Sequence, residues 1–79
     1  MSHFVYILKC ADESLYVGYT SNIRIRLKKH QEGLVLSTKN KRPVKLHWYC
    51  CFVDEQKAIK FEKYLKLGSG FSFSRRRLL

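Results

Sequence analysis

A chain of 79 residues is long enough for one small domain and leaves no room for a second. Its hydrophobic fraction of 46% excludes a disordered chain, and no apolar run approaches the length of a membrane span. Sixteen Lys and Arg against six acidic residues give a formal charge of +10, which favours nucleic acid as a partner, with an anionic membrane second. The N-terminus lacks a signal-peptide pattern, so we expect one cytoplasmic domain over residues 1–79, monomeric or weakly dimeric.

The three cysteines do not suggest a disulfide framework. Their number is odd, and Cys50 and Cys51 are neighbours whose side chains would point to opposite faces of a strand. The sequence has no Cys-x-x-Cys, and the spacing of the cysteines to His30 and His47 matches no structural zinc site. We therefore expect ordinary buried thiols, as in a reducing compartment.

Two strands are predicted at the start of the chain. Residues 4–8 are apolar and rich in aromatic and branched side chains, and a polar turn separates them from a second strand over residues 15–19. Because successive strand residues point to opposite faces, Tyr16 and Gly18 should face away from Val17. The two strands are spaced to form a hairpin.

The first predicted helix starts near Ser21 or Asn22 and ends at about Gln31, because capping residues precede it and a glycine follows it. Arg26 and His30 lie on the borders of its apolar stripe. Charged or titratable groups at the edge of a core need a structural or chemical reason.

A basic segment follows this helix. Residues 34–43 show no periodicity and are predicted to form a solvated loop. Four basic side chains lie close together at its end, namely Lys39, Lys41, Arg42 and Lys45. Their density favours contact with phosphate groups over ordinary surface charge.

Residues 44–53 alternate as a third strand. One face would carry Leu46, Trp48, Cys50 and Phe52, and the other His47, Tyr49, Cys51 and Val53. Both faces are largely apolar, so we expect helices to cover the sheet on both sides. Asp54 is the predicted cap of a second helix that runs to about Leu67, and residues 68–79 permit a turn and a short third helix.

Glu62 lies among the apolar residues of the second helix. A carboxylate on a core-facing stripe is costly unless it is paired or binds a metal ion. Two explanations remain open from the pattern: an ion pair with Arg26 or Lys66, or a ligand of a hard cation.

Tyr6, Tyr16, Arg26 and Glu62 could surround one cleft. The sequence lacks a Gly-rich phosphate loop, a nucleophile with a base and an orienting acid, and a carboxylate pair for sugar hydrolysis. One carboxylate, one arginine and two phenols suit phosphodiester cleavage. In that chemistry a cation on Glu62 polarises the phosphate, Arg26 stabilises negative charge, and a phenol takes a proton from water.

These residues carry a resemblance to a known family. The segment Val5-Tyr6-Ile7, followed by Tyr16-Val17-Gly18 and then by Arg26, His30 and Glu62, resembles the GIY-YIG nuclease superfamily. It is most similar to the small stand-alone bacterial members and to the N-terminal nuclease module of the bacterial excinuclease. The ordered set spans the whole chain, and Arg42-Pro43 and residues 62–66 also look like the small members.

The resemblance implies an α+β fold with a small, largely antiparallel three-stranded sheet flanked by helices. It also implies a metal-dependent DNA endonuclease that uses Mg²⁺ or Mn²⁺ and no organic cofactor, acting in DNA repair or recombination with low sequence specificity. The alternative is a catalytically inactive, basic nucleic-acid-binding module. A membrane-surface protein is a third possibility, disfavoured because the apolar helix faces are needed to cover the sheet.

By position, the resemblance implies a role for each residue of the motif. Tyr6 corresponds to the tyrosine proposed as general base, and Tyr16 to the tyrosine that contacts phosphate or water. Arg26 corresponds to the catalytic arginine and Glu62 to the metal ligand. His30 matches a histidine often found one turn after the arginine, although a histidine favoured by the helix dipole is an equal alternative.

The expected DNA-backbone contacts are basic residues outside this motif: Arg24, Lys28, Lys29, Lys39, Lys41, Arg42, Lys45, Arg75, Arg76 and Arg77. The chain also departs from the family pattern. Its first motif lacks the glycine, and no asparagine follows the glutamate helix, a role that Ser69 could take. Cys50 and Cys51 stand where an acidic residue is common, and Ile25 is expected to point to solvent where a charge is usual.

Overall fold

The computed structural model describes residues 2–67. Its elements are β1 (His3–Lys9), β2 (Leu15–Thr20), α1 (Ile23–Gln31), a short 3₁₀ helix (Lys39–Lys41), β3 (Lys45–Phe52) and α2 (Glu55–Lys66). The strands form one antiparallel sheet in the order β2-β1-β3. The predicted α+β class and three-stranded sheet are confirmed. The predictions for residues 68–79, including Ser69 and Arg75, Arg76 and Arg77, lie outside the described residues.

β1 is the central strand, and both of its faces are buried. Val5 and Ile7 pack on one face against Val17 of β2 and against Ala58 and Leu65 of α2. The other face of β1 packs against the apolar side of α1 and the start of β3. Burial on both sides explains why residues 4–8 form a continuous apolar run. None of the helices in residues 2–67 is long and apolar enough to cross a membrane.

α1 begins and ends where local sequence signals predict. The Asn22 side chain accepts a hydrogen bond of 3.1 Å from the Ile25 amide and caps the N-terminus. At the other end, Gly33 has a φ of +80°, and its amide donates to the His30 carbonyl at 3.2 Å. The Leu34 amide donates to the Lys29 carbonyl at 2.9 Å, which completes a Schellman motif.

β3 differs from the prediction in two ways. A shift in register between Ile7 and Leu8 places Leu46 opposite Leu8, so Leu46 packs on the α1 face and not beside Trp48. A bulge of this kind inverts the facing of every residue beyond it. The prediction that helices cover the sheet on both sides is confirmed by α2 on one face and α1 on the other. The cover does not extend over all of β3, an edge strand on which Tyr49 and Cys51 are exposed.

The segment after α1 is not the fully solvated loop predicted from its composition. Thr38 is completely buried, and it precedes the 3₁₀ helix. Arg42 ties the segment to α1, because its Nε donates to the Lys39 carbonyl at 3.0 Å and its Nη1 approaches the Gln31 carbonyl at 3.4 Å. These contacts fix the position of the basic segment relative to the helix.

Candidate functional site

Tyr6 lies at the centre of the site, on the face of β1 that α1 covers. Its side chain is 1% exposed, and its hydroxyl lies 2.8 Å from Nε2 of His30. His30 occupies the last turn of α1 and is itself completely buried. The helix therefore brings an imidazole, and the central strand a phenol, into direct contact.

Gly18 provides the space that the Tyr6 ring occupies. The two residues are paired across β1 and β2. A Cβ atom at position 18 would lie 2.8 Å from Cε1 of Tyr6 and closer still to Cζ and Oη. Glycine is thus required here because the phenol ring crosses directly over the backbone of β2.

Tyr16 completes a cluster of three rings. Its ring centroid lies 5.0 Å from that of His30 and 6.3 Å from that of Tyr6. Both geometries are tilted or edge-on, as aromatic pairs prefer. The prediction that Tyr16 faces away from Val17 is confirmed by its packing with Tyr6 and with α1.

The electrostatics of the cluster favour the neutral forms of Tyr6 and His30. Burial raises the pKa of Tyr6 well above its usual range, and Tyr16 adds to the rise. The Arg26 guanidinium opposes it through its charge and as a hydrogen-bond donor, whereas the Glu62 carboxylate raises the pKa further. Burial, followed by the charge of Arg26, lowers the pKa of His30. Arg26 and Glu62 therefore act on the pKa of Tyr6 in opposite directions.

His30 lies in the last turn of α1, and contacts other than the helix dipole dominate its surroundings. A dipole contact at a helix C-terminus would raise the pKa of a histidine, whereas that of His30 is lowered. Both ring nitrogens are also engaged, Nε2 with Tyr6 and Nδ1 with Thr38 Oγ1 at 2.8 Å. A buried, neutral imidazole with both nitrogens occupied has no nitrogen left for a metal ion.

His30 should make the free energy of unfolding depend on pH. The pKa of His30 is lower in the folded state than in the unfolded state, where it is about 6.5. The contribution of the neutral imidazole to the free energy of unfolding is therefore complete above pH 6.5 and is lost as the pH falls through the folded pKa. The free energy of unfolding in urea should therefore fall between pH 7.5 and 5.5, at a slope approaching about 1.4 kcal/mol per pH unit for one proton.

The His30→Gln variant should lack this part of the pH dependence. His47→Gln is the matched control, since His47 is exposed on β3, and it should keep the wild-type slope. Equal slopes for the wild type and His30→Gln would contradict the assignment of a lowered pKa to His30.

Glu62 lies one turn before Lys66 on α2, and its carboxylate Oε2 is 3.0 Å from the Lys66 ammonium. Of the two ion-pair partners that the sequence allowed, the structure therefore has Lys66. The Glu62 side chain is 18% exposed and that of Lys66 is 53% exposed, so the pair contributes little to stability and exchanges easily.

The side chains near Glu62 determine whether a divalent cation could be held there. Residues 2–67 contain no group of three His, Cys, Asp or Glu side chains placed to hold a metal ion. Mg²⁺ does not require such a group, since it is commonly bound by one or two carboxylates together with water and substrate phosphate oxygens. Glu62, a partly exposed carboxylate whose charge acts on the pKa of Tyr6, is compatible with a site of this kind.

Basic side chains are exposed on α1, on the segment that follows it and at the start of β3. The exposed members of the predicted DNA-binding set are Arg24, Lys28, Lys29, Lys39, Lys41 and Lys45. Arg42 is also exposed, but its guanidinium is held by carbonyl groups and covers Gly33. Arg42 thus has a structural role that the sequence did not reveal, and its contact with phosphate stays a prediction.

Comparison with known proteins identifies the family. The profile described as the GIY-YIG catalytic domain matches residues 2–73. The chain belongs to the GIY-YIG family. This agrees with the resemblance carried by the two tyrosine motifs, and membership implies a nuclease-type function.

Similar GIY-YIG relatives are small bacterial proteins. A UPF0213 protein of Bacillus licheniformis is 47% identical over 66 residues, which make up 82% of this chain and 68% of that protein. A UPF0213 protein of Clostridium perfringens is 43% identical over 65 residues, 81% of this chain and 70% of that protein. The solution NMR structure of a UPF0213 protein from Bacillus halodurans has a TM-score of 0.64 and 32% identity, covering 99% of this chain and 87% of that one.

Sequence reasoning missed Thr38 in the site of this GIY-YIG protein. Thr38 lies in an aperiodic segment, eight positions after His30, and reaches it only through the folded chain. No local signal distinguishes it from the neighbouring Ser37.

Two further expectations concern single residues. Ile25, where the family usually has a charged residue, points to solvent as predicted and is 54% exposed. Cys10 is buried as predicted, but Cys51 is exposed, which corrects the expectation of buried thiols.

Proposed function

We propose that this GIY-YIG protein is a metal-dependent endonuclease that hydrolyses DNA phosphodiester bonds. The observation that carries the proposal is the contact between Tyr6, Tyr16 and His30 beside the Arg26 guanidinium. Two phenols under the influence of a guanidinium charge are suited to a reaction in which negative charge develops on a phosphate. The exposed basic side chains and the net charge of +10 favour a polyanionic substrate.

Each side chain has a defined task in this reaction. Water attacks the phosphorus, the bond from phosphorus to the leaving oxygen breaks, the proton of the attacking water passes to a tyrosine in its phenolate form, and the leaving oxygen takes a proton from solvent. Tyr6 is the proposed proton acceptor, and Tyr16 contacts the phosphate or the water. Arg26 stabilises the negative charge that develops on the phosphate oxygens. His30 holds the Tyr6 hydroxyl in place from the side of the core.

Glu62 is the proposed ligand of a divalent cation, Mg²⁺ or Mn²⁺. When bound there, the cation polarises the scissile phosphate and, through its charge, lowers the pKa of the neighbouring phenols. To bind the cation, the Glu62 carboxylate must give up its ion pair with Lys66. The free-energy cost of breaking this pair is small because the Lys66 side chain is exposed. No organic cofactor is proposed.

The substrate is proposed to be DNA read mainly through its backbone. Once its exposed lysines and arginines contact phosphates, a domain of this size has little surface left for base edges. Low sequence specificity, or recognition of DNA shape, follows from that limit. Action in DNA repair or recombination in the cytoplasm, as a monomer or weak homodimer, completes the proposal.

The proposal is tested by incubating the purified protein with supercoiled, branched and single-stranded DNA. Cleavage should require Mg²⁺ or Mn²⁺ and should stop when a chelator is added. If none of the three substrates is cut under any of these conditions, the alternative of a catalytically inactive binding module is correct. Binding alone does not separate the two, because both predict salt-sensitive affinity.

The basic surface should be detectable through the salt dependence of DNA binding. Lys28→Ala and Lys41→Ala should each weaken binding to all sequences alike. Each should also reduce the slope of log K against log salt by about one unit, since one phosphate contact is lost. Lys57→Ala is the matched control, because Lys57 is exposed on α2 and lies outside the predicted DNA-binding set, on the other side of that helix from Glu62. If Lys57→Ala reduced the slope as much as the other two, the surface would be wrongly placed.

A further inference from the structure

Two exposed leucines in the basic segment have no part in the proposed reaction. Leu34 is 68% exposed and Leu36 is 88% exposed. The sequence around them, residues 28–42, carries five basic side chains and one acidic side chain. Because single exposed leucines are common on protein surfaces, a role for these two depends on how they are held and on what surrounds them.

The exposure of Leu34 follows from the way in which α1 ends. Leu34 comes directly after the glycine of the Schellman motif, and its amide donates to the Lys29 carbonyl at 2.9 Å. In this motif the residue after the glycine usually packs on an apolar side chain in the last turn of the helix. The positions that would supply that side chain hold Lys28 and Lys29, and both are exposed. Leu34 therefore has lysines where an apolar partner is usual.

Leu36 occupies a central position of a turn, which the Thr38 amide closes by donating to the Val35 carbonyl at 3.1 Å. Central turn positions usually carry Gly, Pro, Asn, Asp or Ser, so formation of the turn does not explain a leucine there. The turn is held in place because Thr38 is completely buried and its Oγ1 lies 2.8 Å from Nδ1 of His30. Leu36 thus projects to solvent from a support that is tied to the ring cluster.

Charge and apolar exposure together indicate the chemistry of the partner. Basic side chains bind phosphates, whereas an outward leucine gains free energy only by contact with an apolar surface. DNA offers both, because its phosphates enclose the apolar faces of the stacked bases. Proteins that kink DNA insert leucine and similar side chains between base steps, and the free-energy cost of unstacking is smallest where the stack is already interrupted.

An anionic membrane also combines negative charge with an apolar interior. Binding to it scales with the apolar area that enters the lipid, which an amphipathic helix supplies along a whole face. In the basic segment the exposed apolar side chains are Leu34 and Leu36, and Val35 between them is partly buried. Two side chains on a short turn fit a break between stacked bases better than they fit a lipid surface.

We propose that Leu36, assisted by Leu34, is a wedge that enters DNA where the base stack is interrupted, so that the substrates are gapped or branched DNA. The proposal rests on the proposed function for the statement that DNA is the substrate. Insertion of the wedge does not require cleavage, and it can therefore be measured separately.

The wedge is tested by DNA binding in the presence of a chelator, which prevents cleavage. The two DNAs are an intact duplex and the same duplex with a short gap beside a fluorescent adenine analogue. The wild type should bind the gapped DNA about tenfold more tightly, as expected for burial of one leucine side chain, and fluorescence should rise as the base unstacks. Leu36→Ser should lose the preference and the fluorescence change. Its affinity for the intact duplex and its salt slope should stay the same, since no charge is altered.

Leu67→Ser is the matched control, because Leu67 is 62% exposed at the end of α2, outside the basic segment. It should behave like the wild type. Equal affinity of the wild type for the two DNAs, or a preference that survives in Leu36→Ser, would overturn the wedge, as would loss of the preference in Leu67→Ser. Leu36→Ser that bound phosphatidylglycerol vesicles less well, and gapped DNA unchanged, would assign the leucines to a membrane surface and overturn it too.

The outcomes for the wedge and for the nuclease are separate. Preference for gapped DNA without cleavage of any substrate in Mg²⁺ or Mn²⁺ would refute the nuclease function and support the wedge. Cleavage without that preference would refute the wedge and leave the nuclease function intact.

Discussion

Replacing Glu62 with Gln should reduce metal-dependent DNA cleavage by about 10²- to 10³-fold. The substitution keeps the shape of the side chain and removes the charge that would hold the cation. A bound cation contributes several kcal/mol of charge stabilisation in the transition state, and each 1.4 kcal/mol corresponds to about a tenfold change in rate. Cleavage of supercoiled DNA measured against Mg²⁺ and Mn²⁺ concentration gives the result directly.

Two properties of Glu62→Gln separate a lost ligand from a damaged fold. Its free energy of unfolding should change by less than about 1 kcal/mol, because the pair with Lys66 is partly exposed. Glu32→Gln is the control with the same change in net charge, since Glu32 is exposed at the end of α1, and it should cleave like the wild type. Undiminished, metal-dependent cleavage by Glu62→Gln would refute the role of Glu62.

Gly18→Ala should destabilise the protein and reduce cleavage, although it adds a single methyl group. The new Cβ would lie 2.8 Å from Cε1 of Tyr6 and closer to Cζ and Oη, so the ring or the β2 backbone must move. Overpacking of this kind costs about 1–3 kcal/mol. Because movement of the ring also disturbs the 2.8 Å bond to His30, cleavage should fall by about 10²-fold.

A double-mutant cycle identifies the cause of the Gly18→Ala effect. In a Tyr6→Leu background the ring is absent, so the added methyl group has space and its cost in urea unfolding should shrink. Equal costs of Gly18→Ala with and without the Tyr6 ring would show that the strain arises in the β2 backbone and would contradict the packing explanation.

Much of the fold follows from local signals in the sequence. The ends of α1 are set by the Asn22 side chain and by Gly33, and the start of α2 by Asp54, whose side chain accepts from the Gln56 amide at 2.8 Å. These devices act within a few residues and are readable from residue type. The opposite facing of Tyr16 and Val17 is equally local, because it follows from strand alternation.

The predictions for β3 failed where the facing or exposure of a residue depends on parts of the chain that are distant in sequence. The bulge that turns Leu46 to the α1 face arises from the pairing of β3 with β1. No residue near Leu46 in the sequence indicates a bulge. The exposure of Tyr49 follows from the position of β3 at the edge of the sheet. Residue type alone predicted an apolar face and gave no information about which element would cover it.

The candidate site was predictable in its residue types and less so in its supports. Glu62 and Arg26 stand out because each is a charged residue beside an apolar stripe. Thr38 and Arg42 do not stand out, because their roles consist of one or two hydrogen bonds to atoms brought near by folding. Such contacts depend on distances that the spacing of residues along the chain does not fix.

The central claim is that a cation on Glu62 and the phenols of Tyr6 and Tyr16 act on one phosphate. Paramagnetic relaxation by substoichiometric Mn²⁺ tests it, measured on isotope-labelled protein bound to a short, non-cleavable phosphorothioate DNA. The largest enhancements should occur together at Glu62 and at Gly18, the residue beneath the Tyr6 ring, and they should disappear in Glu62→Gln. Relaxation enhancements that are largest at Asp12, in the turn between β1 and β2, would contradict the shared site. Enhancements that are unchanged in Glu62→Gln would contradict it as well.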